Sequence, residues 1–183
     1  MGTLSTTAWV LHDLGLAAGF GGNLFGQLAL NPALKAIQSK KQRGQVSHIA
    51  WDSFKFVNIG ALAAMAGTWL IGRTVLSGWE VGRESRNLTL LKDALVTGAV
   101  VTGAGAVVTG FMLDAELKQG QSIKSGGEPS ADTPPRTARL QRLVNTFGSV
   151  NIALQASVLA VTAMLALKAG RSHRWAFTSR WLP

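Results

Sequence analysis

The stretch "IAWDSFKFVNIGALAAMAGTWLIG", residues 49–72, decides how this chain is read. After Asn58 it carries no charged side chain until Arg73. A run this long and apolar predicts a helix that crosses a lipid bilayer, because an open strand would leave its backbone N–H and C=O groups unpaired in hydrocarbon. Yet the run opens with Asp52, Lys55 and Asn58, three residues apart and so on one helical face. Such groups are costly in lipid unless they pair or meet water. They mark either a membrane entry, with Lys55 snorkelling to the headgroups beside a belt residue at Trp51, or the wall of a polar site.

Three further apolar runs lie around it, at residues 9–34, 90–113 and 140–167, with this one extending over 49–74. Each is about 24–28 residues, enough for a tilted span at a rise of 1.5 Å per residue. The 183 residues are 47% hydrophobic and only 15% charged, whereas a soluble domain carries about 25% charged residues. The charges fall in short blocks between the runs. The fold expected is therefore all-α, a single-domain integral membrane bundle of four transmembrane helices over 1–183. Only "MGTLSTTA" precedes the first run, without Lys or Arg, so a retained span is expected there rather than a cleaved signal.

The connections are polar. The segment 118–136, centred on "SGGEPSADTPP", has the composition of a mobile loop. Trp79 is expected at headgroup depth. The tail 168–183 alternates cations with Trp175, Phe177 and Trp181, as an interface anchor would. With four spans both termini share a side. Eight Lys and Arg, from Arg73 to Arg180, then face nine on the other, from Lys35 to Arg142, and the positive-inside rule chooses no orientation.

The net charge of +9 sits beside apolar runs, which points to the bilayer and its anionic lipids as partners and not to nucleic acid. A chain without cysteine holds no disulfide, thiolate-ligated zinc or iron–sulfur cluster of its own. No Ser-His-Asp, P-loop or zincin pattern is present, so no catalytic residue is assigned.

Small residues recur at helical spacing: Gly15, Gly19, Gly22 and Gly26 in the first run, Gly60, Ala64 and Thr68 in the second, and Gly98, Thr102, Ala106 and Gly110 in the third. They let helix backbones approach closely, and they predict packing within the bundle. Polar residues show a second regularity. Asn23 and Gln27, then Asp52, Lys55 and Asn58, then Thr109 and Asp114, then Asn145, Asn151 and Gln155 all fall toward the side of the first and third loops. This is either interhelical hydrogen bonding or a cavity open to water or a ligand.

Among the histidines, His12 and His48 lie near opposite ends and His173 lies beyond the last run, so no haem is expected between two imidazoles of this chain. No cofactor is assigned. His12, Asp13 and Asp93 share one side and give a metal hypothesis, but simple helix-entrance polarity explains them better, so no metal is assigned either.

"LHDLGLAAGFGGNLFGQLALNPAL" in the first run and "NTFGSVNIALQASVL" in the last resemble bacterial four-helix membrane families that include anthrone-oxygenase-like proteins. The shared features are an early His, a Gly pair in mid-helix and a Pro-containing exit into a basic loop. The resemblance implies a membrane enzyme acting on an apolar, quinone-like ligand, with His12 as its candidate cofactor-binding residue. The residues by themselves point first elsewhere: to an accessory or structural subunit of a larger membrane complex, such as an energy-transducing one, in a bacterial plasma membrane. Other integral membrane subunits would be its partners. A small transporter is a third reading, disfavoured because no Pro interrupts a run midway.

Overall fold

The computed structural model describes residues 2–74, 83–118 and 122–170. They form four long helices, α1 (Gly2–Phe25), α2 (Lys40–Thr74), α3 (Arg83–Lys118) and α4 (Pro135–Gly170), and no strand among them. Trp79, His173 and the aromatic residues of the tail lie outside the described residues. Helices α2, α3 and α4 are each long and apolar enough to cross a membrane. The remaining apolar run, 9–34, lies in α1 and its continuation.

That continuation is irregular for a reason written in the sequence. Pro32 has no N–H to give, and its ring presses on the carbonyl one turn back. The chain answers with a π-helical turn at Gly26–Leu30, in which the Asn31 N–H reaches Gly26 O. Two short helical segments follow, Asn31–Ala33 and Leu34–Ala36, and the extended backbone of Ile37 ends them. Ser39 then starts α2, its Oγ accepting the Gln42 N–H at 3.4 Å. At the other connection Pro135 opens α4, where its missing donor costs nothing.

The helices pair along their length, α1 with α2 and α3 with α4, and the two pairs pack on each other. The glycine stripe of α1 lies on α2. A Cβ on Gly15 would stand 2.7 Å from Ala61 O, and one on Gly22 or Gly26 would enter the ring of Phe54 or Trp51. On the other pair Gly98 abuts Leu154 and Gly105 abuts Phe147. Gly60 and Gly110 do not pack: a Cβ on either meets nothing within 4 Å, because Gly60 is exposed and Gly110 faces a cavity between the helices.

Two apolar clusters fix the bundle. Leu16, Met65, Val96, Ala99 and Val158 fill its middle. Leu34, Leu113, Leu117, Ile123 and Leu140 close the end that holds the first and third connections, called the loop end below.

Two stretches singled out in the sequence take defined places here. The described part of the 118–136 segment, 122–134, folds into a closed turn. Ile123 and Pro129 bridge, Glu128 and Ser125 exchange backbone hydrogen bonds, and Ile123 is fully buried. Trp51 packs on α1. Its ring fills the gap left by Gly26, and its Nε1 donates to Asn31 Oδ1 at 3.3 Å.

Candidate functional site: a cavity at the loop end

A cavity of about 120 Å³ sits at the loop end, walled by all four helices and closed by Gly126 of the 122–134 turn. That is room for several waters or part of a small molecule. The π-helical turn matters for its position. The wider turn sets Gln27, and Asn31 just after it, on the cavity wall.

Seven of the ten residues singled out by polarity line this cavity: Asn23, Gln27, Asp52, Lys55, Asn58, Asp114 and Asn145. Asn23 Nδ2 donates to Asn58 Oδ1 at 3.0 Å and ties α1 to α2 at the cavity floor. The other three lie elsewhere. Thr109 is satisfied by its own helix, donating to Gly105 O at 2.6 Å. Asn151 and Gln155 form a separate, deeper network. Asn151 Nδ2 donates to Ala99 O at 2.6 Å and to Thr102 Oγ1 at 3.1 Å, and Asn151 Oδ1 accepts from Gln155 Nε2 at 2.6 Å. This is hydrogen-bonded glue between α3 and α4.

The cavity has two chemistries. Trp51, Phe54, Val107, Phe111 and Ile152 make an apolar part. The polar part is a charge cluster shared by α2 and α3. His48 Nδ1 bonds Asp114, and Lys55 Nζ bonds Asp52 one turn back. Lys55 also lies 3.8 Å from Asp114, and Lys118 lies 3.9 Å from it. Asp114 is the least exposed member, at 14%. Gln141, buried on the α4 side of the cavity, donates its Nε2 to Ser125 O at 2.6 Å, while its Oε1 finds no partner among the described residues.

Sequence reasoning missed His48, Trp51, Asn31 and Gln141 as parts of this site. His48 was legible: it stands four residues before Asp52 and so on the same helical face. Gln141 was not, since its orientation depends on how the 122–134 turn folds back.

That turn is fastened by ion pairs, both within it and to Lys35 and Lys40 outside it. Lys40 bonds Asp132 at 2.6 Å, Lys124 bonds Glu128 at 2.9 Å, and Lys35 lies 3.7 Å from Glu128. Arg43 adds hydrogen bonds to Ile37 O and Lys124 O. The hydrogen bond and charge of Lys40 hold the Asp132 carboxyl below its ordinary value of 3.8. Those of Lys124, and then the charge of Lys35, do the same to Glu128 below 4.5.

The opposite end holds the remaining candidates. His12 is buried, with Nδ1 at 2.8 Å from Met65 O and its ring between Trp9 and Trp69. Lys92 is fully buried, its Nζ 4.3 Å from the Trp69 ring centre and 4.9 Å from that of Trp9. The proposed approach of His12, Asp13 and Asp93 is corrected. The Asp93 carboxylate is taken by Trp69 Nε1 at 2.9 Å and Arg73 at 3.0 Å, and Asp13 is exposed. The one metal-capable trio among the described residues is His48, Asp52 and Asp114.

No family model, curated protein or solved structure matches the chain.

Proposed function

We propose that the chain is a multi-pass membrane protein whose loop-end cavity binds an apolar, ring-bearing small molecule with a polar head, quinone-like in shape. The membrane part of this reading rests on the outer surface. The apolar windows of α2, α3 and α4 are only 17–22% buried within the chain. Leu14, Phe25, Leu28, Phe56, Leu70, Val101 and Leu167 all point outward. Apolar surface spread round a bundle on this scale is unfavourable in water and is what hydrocarbon solvates.

One observation carries the ligand reading: all four helices converge on a cavity divided into an aromatic part and a charged part. Ligand sites are mostly apolar with a few placed polar groups. A purely structural bundle has no need to keep such a volume unfilled. The resemblance of the first and last runs to anthrone-oxygenase-like proteins agrees with such a ligand, although His12 lies at the far end and takes no part in this cavity. The accessory-subunit reading rests on the exposed apolar faces, and lipid covers those equally well.

Gly110 offers a direct test. It lines the cavity, and a Cβ added to it meets nothing within 4 Å. Gly110→Leu therefore fills the space without disturbing the helices. The purified chain should show saturable quenching of Trp51 fluorescence by 2-methyl-1,4-naphthoquinone, reduced in Trp51→Phe and abolished in Gly110→Leu at unchanged thermal stability. Quenching that is equal in wild type and Gly110→Leu would overturn the reading.

A further inference from the structure

The charged part of the cavity is built from donors that suit a cation as well as a proton. His48 and Asp52 stand one turn apart on α2, and Asp114 reaches them from α3. Their ligand atoms all lie within 4.8 Å of one another. From bond lengths of about 2.0–2.2 Å, a tetrahedral site has donor–donor edges of about 3.3–3.6 Å. Closing the difference takes side-chain rotation, not backbone movement. One imidazole and two carboxylates form a hard-to-borderline set with no sulfur, the choice of zinc or manganese over copper(I). Three protein ligands leave a position open, and here it would face the cavity.

We infer that His48, Asp52 and Asp114 form a binding site for a divalent transition-metal ion, with Lys55 as the internal cation that competes for it. A cluster of acids and a histidine alone would not carry this, since ion-pair networks look similar. The independent observation is Gln141. It is 2% exposed, lines the same cavity, and its Oε1 has no donor among the described residues. A buried acceptor of this kind on the cavity wall is open to a hydrogen from the cavity's contents. Water held on a metal ion is a strong donor for it.

The charges also fit. The two carboxylates balance a divalent ion once the Lys55 ammonium withdraws from Asp52. Lys55 has a place to go: its Nζ already lies 4.8 Å from the centre of the Phe111 ring and 5.4 Å from that of Phe56, and Phe56 is exposed. Lys55 therefore sets the affinity of the site by competition. This inference stands apart from the apolar ligand, since the ion needs only the charged end of the cavity.

The test is calorimetric titration of the full chain in mild detergent with Zn²⁺ or Mn²⁺ alone, after treatment with a chelator. One ion per chain is expected. Loss of an outer-sphere partner commonly weakens a metal by roughly 10–100-fold, and His48→Gln and Asp114→Asn remove ligands themselves, so they should weaken binding at least that much. Lys55→Met, which removes no ligand, should tighten it, and His173→Gln should leave it unchanged. The inference is overturned if neither wild type nor Lys55→Met binds either ion at millimolar concentration. It is equally overturned if Lys55→Met binds no more tightly than wild type, or if a folded His48→Gln binds as well as wild type. Quinone quenching measured without metal separates this failure from failure of the ligand reading.

Discussion

Lys55 lies 3.8 Å from Asp114 on the neighbouring helix while bonding Asp52 on its own. The three polar residues at the start of the apolar run thus link helices. Asp52 and Lys55 belong to a cluster linking α2 to α3, and Asn58 is bonded to Asn23 of α1. Lys55→Met should lower thermal stability in detergent, and Asp114→Asn or Asp52→Asn in the same chain should restore part of the loss. A double-mutant cycle reads the coupling directly. Additive losses with both carboxylates would reduce Lys55 to a headgroup anchor.

The glycine stripe gives a second expectation. Gly22→Leu drives a side chain into the space of Phe54, and Gly15→Ala meets backbone atoms of Ala61 and Met65 that cannot move aside. Overpacking of this kind costs about 1–3 kcal/mol. Gly21→Leu and Gly60→Leu point into open space and should change stability little. Thermal melts of the four variants check this, and indistinguishable melts would remove the close-packing argument.

A third concerns the deep network. Asn151→Ala removes bonds to Ala99 and Thr102 and leaves the Gln155 amide without its acceptor. Interhelical hydrogen bonds in lipid average about 0.6 kcal/mol and reach about 1.7, so a loss on the order of 1 kcal/mol is expected. The reversible unfolding free energy in mixed micelles measures it. No loss would mean that α3 and α4 are held by apolar packing alone.

The fourth concerns the turn that closes the cavity. Asp132 and Glu128 have folded values below their ordinary 3.8 and 4.5. Their contribution to the folded turn is complete above those ordinary values. It is lost as pH falls through the lowered ones, when the carboxylates take up protons and release Lys40 and Lys124. Both pairs are exposed, so salt should weaken them too. Amide exchange at Ser125 and Glu128, corrected for intrinsic rate, should accelerate below about pH 4, and Asp132→Asn should do the same at neutral pH. Protection unchanged from pH 7 to 3 would show that Ile123 burial alone holds the turn.

Much of this arrangement was legible before any coordinates, and what was not has identifiable causes. Helix and apolar length follow from composition, and the agreement of polar positions across four runs located seven cavity residues. Thr109 misled because a hydroxyl can bond its own helix four residues back. Lys92 reads as one more flanking cation. Its burial depends on Trp9 and Trp69 arriving from two other helices, and no local spacing encodes that. Trp51 reads as a belt residue by depth, but depth does not say which way a ring turns. Gly26, with space only for that ring, decides it.

The most direct test of the central claim, a ligand held in the loop-end cavity, is native mass spectrometry of the chain extracted in mild detergent from the membrane that produces it. The account predicts a wild-type species carrying one bound small molecule, absent from Gly110→Leu prepared in the same way. Identical bare masses for the two proteins, or the same adduct on both, would contradict it.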